Sequence, residues 1–492
     1  MFRLRSIKNQ DKKDVFVSLE KTPDDENYYT VITGENGCGK SSLLSKAVNT
    51  YIFNRLNESS ESSTDLFSER FPERVIAICN ARYNKFASMK THIEQSRTFE
   101  PNYYIQNDHN LEVTRSLQSL MHSVVREIID VNPEPIFEKK ERSGYHIRSV
   151  RKAFNMIGVE PVIEMKLDFN KGYISAIKRM YQLEDRGERW SDSTSGSGNY
   201  IKDFSHCRKK FKISDSLVRE LLFLYENSKS KSAEQGRIEI YIDNFSFRLK
   251  SRFWPEYLLE PALAIGFFIP TKLQVQRINS LKWVSISSLS SGQQSMMMNA
   301  IIISSFAKEN SLICIDEPEN SLHPEWQLNY MSFVDYLCPQ NIGCHILIAT
   351  HSPQIISGVK SNNGCIVSLM KNEKLIYDYD YDDEDQSPHI QSSSNFYEVH
   401  SISSFLRKSA DRQLVDVFKS PGFGNEALIH RLMLILTKQT KNIELKSDDE
   451  SFIREISIFI NNGRIDENDP ATVVFNQILA FKKFMELRKR ND

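Results

Sequence analysis

The segment Gly34-Glu-Asn-Gly-Cys-Gly-Lys-Ser-Ser42 has the residue types and spacing to hold phosphate. Glycines at 34, 37 and 39 let the backbone curl until its N–H groups converge on one point, and the start of a following helix adds favourable field there. Lys40 is placed to reach the β and γ oxygens of a polyphosphate, and the Ser41 hydroxyl to ligate Mg2+. The candidate phosphate-binding set is Gly34, Asn36, Gly37, Cys38, Gly39, Lys40, Ser41 and Ser42. Far downstream, Asp316-Glu317-Pro318 closes an apolar run, the position from which a strand delivers two adjacent carboxylates to one site. Asp316 would hold Mg2+, directly or through water, and Glu317 would polarise an attacking water. His351 leaves another apolar run in the same way and points to a terminal phosphate. Ser290, Ser291, Gly292 and Gln293 open a helix with hydroxyls and a glycine, a second anion-binding arrangement. Singly, each has an ordinary structural reading: a glycine turn, a polar turn, a structural histidine, a capped helix.

The elements that must carry these residues are readable from apolar patterning. Residues 29–33 are a short β-type run, 74–79 and 345–349 are largely apolar and expected as strands, and 311–315 reads as a buried strand. Residues 296–306 have the spacing of a buried helix. Between the two groups of strands, 111–130 places Val113, Leu117, Leu120, Val124 and Ile128 on one helical face. Further helices are expected near 150–157 and 214–225, with a flexible polar linker at 190–199. No long heptad repeat and no Cys-x-x-Cys pair occur, so the insert reads as a compact helical subdomain rather than a coiled-coil arm. After His351, Tyr and Asp alternate from Tyr377 to Asp382, and carboxylates continue to Asp385. A metal role for Asp378 and Asp380 is outweighed there by an acidic strand end and solvated loop. The tail patterns as helices over 425–437, 451–461 and 471–489.

Composition narrows the function classes. At 492 residues the chain has room for about three domains, and it is 40% hydrophobic and 26% charged. With 63 Lys and Arg against 64 Asp and Glu, there is no global basic field to gather nucleic acid. Two local basic segments, 139–152 with Tyr145 and His146 interleaved and 208–212, could meet DNA or RNA, although a solvated surface accounts for them as well. Seven scattered cysteines argue against a disulfide framework and fit a reducing, cytoplasmic setting. No apolar run approaches a membrane span, so no membrane partner is expected.

Taken in order, these segments resemble the ABC-type ATPase head, in the branch that includes the SMC and RecF proteins and the ATPases of the OLD and Septu (PtuA) phage-defence systems. Residues 34–41 look like Walker A, 289–293 like the signature, 313–317 like Walker B, 320–323 like the D-loop and His351 like the switch histidine. Ser291 stands where the signature usually has its first glycine. The strand that should deliver the Q-loop glutamine runs instead into Asn80-Ala-Arg-Tyr-Asn84-Lys-Phe86.

The resemblance implies an α/β ABC-type P-loop ATPase head, a mixed sheet with flanking helices, split by the helical insert and followed by a C-terminal helical domain. The corresponding divisions are 1–90, 91–265, 266–375 and 376–492. It also implies ATP and Mg2+ as ligands and Glu317 and His351 as catalytic groups. One copy of each motif implies a homodimer or higher homo-oligomer. The match is greatest to PtuA-type defence ATPases, whose effector is a separate polypeptide such as an HNH nuclease. Two other readings stand beside it: a RecF- or SMC-like repair ATPase, and an ATP-bound scaffold with little turnover.

Overall fold

The computed structural model describes residues 2–9, 13–19, 26–34, 36–56, 66–68, 71–80, 86, 105–107, 112–131, 144–187, 198–228, 236–250, 254–278, 280, 282–338, 343–359, 363–370, 396–402, 412, 414, 422–441 and 443–491. Strands β1 (Leu4–Lys8), β2 (Asp14–Phe16) and β3 (Tyr28–Gly34) lead into helix α1 (Lys40–Leu56), then β4 (Leu66–Ser68), β5 (Val75–Cys79) and β6 (Ile105–Asn107). The middle of the chain forms α2 (Glu112–Val131), α3 (Gly144–Ile157), β7 (Val159–Phe169), α4 (Lys171–Asp185), α5 (Gly198–Lys210), α6 (Asp215–Ser228), β8 (Gly236–Tyr241), β9 (Ser246–Lys250) and α7 (Glu256–Ala264). Next come β10 (Phe268–Arg277), β11 (Trp283–Ser285), α8 (Ser291–Phe306), β12 (Leu312–Asp316), α9 (Pro324–Leu337), β13 (His345–Ala349), α10 (Pro353–Ser357), β14 (Gly364–Met370) and β15 (Phe396–Ser401). Helices α11 (Glu426–Thr440), α12 (Ser447–Asn461) and α13 (Pro470–Asn491) follow.

A seven-stranded sheet in the order β15-β14-β3-β13-β12-β5-β6 is the frame of the molecule. Only β15 runs antiparallel to its neighbour; β14, β3, β13, β12, β5 and β6 are parallel. Such strands are covered on both faces, which is why Val75–Cys79, Leu312–Asp316 and His345–Ala349 are buried at every position. Their register is level: Asp316 lies opposite both Ala349 and Cys79, and Ala349 opposite Ile32. The loops leaving β3, β5, β12 and β13 therefore emerge side by side at one edge, where open α/β sheets bind ligands.

One face of this sheet packs α1 through Leu43, Leu44 and Val48, together with Phe2, Leu4 and Ile7. The other face shares a core with the middle of the chain, in which Val31, Ile76 and Ile346 join Met121, Phe154, Ile163 and Ile301. Helices α11 to α13 bury a small core of their own around Leu432, Ile456, Phe475 and Ile478. The expected C-terminal helices are thus present, as is the mixed α/β fold with a parallel-rich sheet and flanking helices.

The helical character expected of the insert requires correction. The eleven-residue β7, with β8 and β9, falls within it and belongs to an antiparallel sheet ordered β11-β10-β7-β8-β9. The reason is a period of two: Val159, Ile163, Met165, Leu167 and Phe169 are buried while Glu160, Lys166 and Asp168 are not. Cross-strand charge pairs help to set the register, Glu164 with Arg237 at 3.6 Å and Glu239 with Lys250. Because β7 pairs along its length with β10, the insert and the second group of head strands share a sheet. Of the polar stretch 190–199, residues 190–197 lie outside the described residues, and α5 begins at Gly198.

Candidate nucleotide site

Strand β3 ends at Gly34, whose φ of +145° is open to glycine, and where a Cβ would lie 2.1 Å from the Leu369 carbonyl oxygen of β14. Gly37 and Gly39 follow with φ of +79° and +99°, and Asn36 and Gly37 are exposed. Cys38, Gly39, Ser41 and Ser42 are half-buried. Helix α1 starts at Lys40, and the Leu43 N–H donates to the Gly39 carbonyl at 2.9 Å in its first turn. Lys40 is only 5% exposed. Its ammonium donates to the Gly34 carbonyl at 3.0 Å and lies 3.3 Å from His351 Nδ1. Burial lowers the Lys40 pKa, against the pull of nearby Glu317, Glu319 and Asp316. Burial, reinforced by the Lys40 charge, lowers that of His351 as well. His351 therefore faces Lys40 as a neutral imidazole, accepting at Nδ1 with its proton on Nε2.

The carboxylates stand beside this loop. Asp316, 1% exposed at the end of β12, accepts from the Ser41 hydroxyl at 3.1 Å. Glu317 adopts the left-handed conformation, φ +50°, and its N–H donates to the Ala349 carbonyl at 2.9 Å. Asn320 donates from Nδ2 to Glu317 Oε2 at 2.9 Å and to the Asn80 carbonyl at 3.2 Å. Glu319 accepts from the Thr350 hydroxyl at 2.9 Å and from the His351 N–H. Burial raises the Glu319 pKa although both of these donors stabilise the anion.

Ser290 caps α8, accepting from the Gln293 N–H at 3.2 Å while Gln293 Oε1 accepts from the Ser290 N–H at 3.1 Å. Gln293 also donates from Nε2 to the Ile157 carbonyl at 2.9 Å, which ties α8 to the end of α3. Ser290 and Ser291 are exposed, whereas Gly292 is buried. A Cβ on Gly292 would come within 2.7 Å of the Ser321 carbonyl oxygen, so the glycine also serves a close approach inside the chain.

The residues present fit Mg2+ and a nucleotide. At the exit of β5, Asn80 is 3% exposed, its N–H donates to the Asp316 carbonyl at 3.0 Å, and both atoms of its carboxamide lack a hydrogen-bond partner among the described residues. The buried Thr33 hydroxyl, next to Gly34, is in the same position. Buried polar groups left unsatisfied cost about 1–3 kcal/mol each, so amide and hydroxyl capacity is retained beside the loop. Mg2+ is held through one or two protein oxygens plus phosphates and water, the kind of set that Ser41 and Asp316 supply. Among the described residues no group of three or more His, Cys, Asp and Glu is placed to hold a metal by itself.

The structure thus brings Gly34, Lys40, Ser41, Asp316, Glu317 and His351 to one edge of the sheet. The side-chain hydrogen bonds of Ser290 and Gln293 run to each other and to Ile157. Sequence reasoning missed Glu319 and Thr350 and left Asn80 undecided. The available signal was position, since each lies within three residues of a strand end. Of the loop after Asn80, residues 81–85 lie outside the described residues, as do 374–385 and 139–143. In the remaining basic stretches, Arg151 bridges to Asp243 at 2.6 Å, Lys152 lies over the Tyr336 ring, and Arg208 bridges to Asp215 at 2.6 Å. None of the seven cysteines forms a disulfide. No helix among the described residues is long and apolar enough to cross a membrane.

Comparison with curated proteins finds no match. A family model described as "AAA domain, putative AbiEii toxin, Type IV TA system" matches residues 170–357, a span that runs from α4 to α10 and includes β8 to β13. The stretch that contributes Ser290 to Gln293, Asp316, Glu317 and His351 lies within this match and is therefore similar to the AAA domain of that family.

Proposed function

We propose that this chain binds and hydrolyses ATP with Mg2+ and that nucleotide state gates a separate effector in an anti-phage defence complex. The observation that carries the reading is the meeting of the Gly34–Ser41 loop with Asp316, Glu317 and His351 across level strand ends. Gly34, Gly37 and Gly39 shape a cradle of backbone N–H groups, to which Asn36, Cys38 and Ser42 contribute, and Lys40 supplies the cation. Ser41 and Asp316 would hold Mg2+, which supplies charge neutralisation at the phosphates. Glu317 acts as general base toward water, and neutral His351 donates from Nε2 to the phosphoryl oxygens. Asn80 stands in the place of the Q-loop glutamine and offers a carboxamide that has no hydrogen-bond partner among the described residues. Ser290, Ser291, Gly292 and Gln293 cap the nucleotide of a second copy in a head-to-head homodimer, with an effector such as an HNH nuclease on a separate polypeptide.

The test is steady-state ATPase and nucleotide binding in Glu317→Gln and Lys40→Ala. Glu317→Gln should bind ATP, accumulate dimer and lose about 100-fold or more in kcat, the usual worth of a positioned base. Lys40→Ala should lose nucleotide affinity. Unchanged turnover in the first variant, or normal binding in the second, defeats the assignment.

A further inference from the structure

The two residues after the Glu317-Pro318 dipeptide reach in different directions, and each ends on a different member of the site. Asn320 Nδ2 spends one hydrogen on Glu317 Oε2 at 2.9 Å and the other on the Asn80 carbonyl at 3.2 Å. The Glu317 carboxylate is thereby pinned to the exit of β5. Glu319 turns the other way, across to the exit of β13, where one oxygen takes the Thr350 hydroxyl at 2.9 Å and the other the His351 N–H. Thr350 is fully buried, its N–H donates to the Ile32 carbonyl of β3 at 3.0 Å, and its oxygen accepts from the Ser352 N–H at 2.9 Å. The turn that makes this double reach possible is strained, with Glu317 at φ +50° and Ser321 at φ +65° bracketing the pair. Non-glycine residues hold such angles only where their surroundings over-determine them. Two fixed carboxamide hydrogens and two carboxylate oxygens supply that constraint here.

We infer that Glu319 and Asn320 form a positioning pair, Asn320 setting the orientation of Glu317 and Glu319, through Thr350 and the His351 backbone, that of His351. This rests on the ATPase reading above, because it assigns Glu317 and His351 their tasks. Neither positioning residue is asked to touch nucleotide. Each acts through its neighbour, so the pair should matter to turnover more than to binding. Misplacing a reacting group by about 1 Å costs on the order of 100-fold in rate.

The experiment compares kcat, and the Kd of a fluorescent ATP analogue, for the wild-type full chain, Asn320→Ala, Glu319→Ala, Thr350→Val and Thr350→Ser. The alanine variants should lose about 10- to 100-fold in kcat while Kd stays within about threefold. Thr350→Val, which keeps the shape and loses the hydroxyl, should follow Glu319→Ala, and Thr350→Ser should recover most of the lost turnover. Thr350→Val and Thr350→Ser also serve if an alanine variant fails to fold. Equal kcat in Thr350→Val and Thr350→Ser, or losses in kcat and Kd of the same size throughout, overturns the positioning pair. An inactive wild-type chain defeats instead the ATPase reading on which the inference rests.

Discussion

His345, the first residue of β13, is 0% exposed, and its ring can take only one protonation state in the fold. The Leu4 N–H donates to Nδ1 at 3.2 Å, so that nitrogen is bare. Thr30 Oγ1, 2.9 Å from Nε2, gives its own hydrogen to the Val17 carbonyl, so Nε2 must carry the proton. A second proton on Nδ1 would face the Leu4 N–H donor to donor. Burial, with Arg3 and Arg5 adding positive charge, holds this imidazole well below the usual 6.5, and the Tyr28 ring packs edge-on against it. The sign follows from linkage. The unfolded chain takes up a proton below 6.5 and the folded chain does not, so the contribution is complete above that pH and is lost as pH falls. Between pH 7.5 and pH 5.0 an unfolded imidazole of pKa 6.5 removes about 2 kcal/mol of stability, whatever the folded value so long as it stays well under 5. Urea unfolding of wild type and His345→Gln at both pH values isolates this histidine from every other titrating group. Wild type should lose about 2 kcal/mol more than the variant on acidification. Equal losses in the two proteins would refute the buried neutral tautomer.

Two further perturbations probe the frame of the site. Gly34→Ala should cost about 3 kcal/mol or more in unfolding free energy and abolish nucleotide binding, since its Cβ meets the Leu369 carbonyl oxygen at 2.1 Å. Gly39→Ala meets nothing within 4 Å and should cost only the roughly 1–2 kcal/mol of a left-handed alanine; melting curves showing the reverse order would contradict the strand-end geometry. Arg74 and Glu127 form a pair at 2.5 Å with side chains 12% and 9% exposed, joining the residue before β5 to α2. Glu127→Ala should cost about 3–5 kcal/mol and the double change Arg74→Met with Glu127→Met much less, as measured by denaturant midpoint, because the single change leaves the guanidinium with no carboxylate and only the Phe306 carbonyl at 3.5 Å.

How much of this was legible in the sequence depended on how local the signal was. The strands Val75–Cys79, Leu312–Asp316 and His345–Ala349 were readable because burial on both faces demands an unbroken apolar run, and a run needs no partner to be recognised. The glycine loop was readable for the same reason, since its spacing lies within one turn of chain. Strand β7 was not, because Glu160, Glu164, Lys166 and Asp168 interrupt it. With helices expected on both sides, an alternating segment reads as amphipathic structure of either period until its pairing with β8 and β10 is known. The wiring of the site was further out of reach. Lys40 meets His351 across 311 residues of sequence, and Ser41 meets Asp316 across 275. No local pattern can report that.

What the site adds to the frame is a set of locally unfavourable choices, and these are the features that periodicity and propensity are least able to foresee. Glu317 and Ser321 sit at positive φ, Lys40 is buried, and the Asn80 carboxamide is without a partner among the described residues. None of these would be selected for folding: the positive φ values and the carboxamide each oppose it by about 1–3 kcal/mol, and burial works against the Lys40 charge. They persist because β3, β5, β12 and β13 end level with one another over two packed faces, which leaves the four loops little freedom to relax. The apolar strands are thus the condition for the polar site. A sequence can betray where such a site lies, at the ends of its apolar runs, but the bonds that hold it are fixed only when the register brings those ends together.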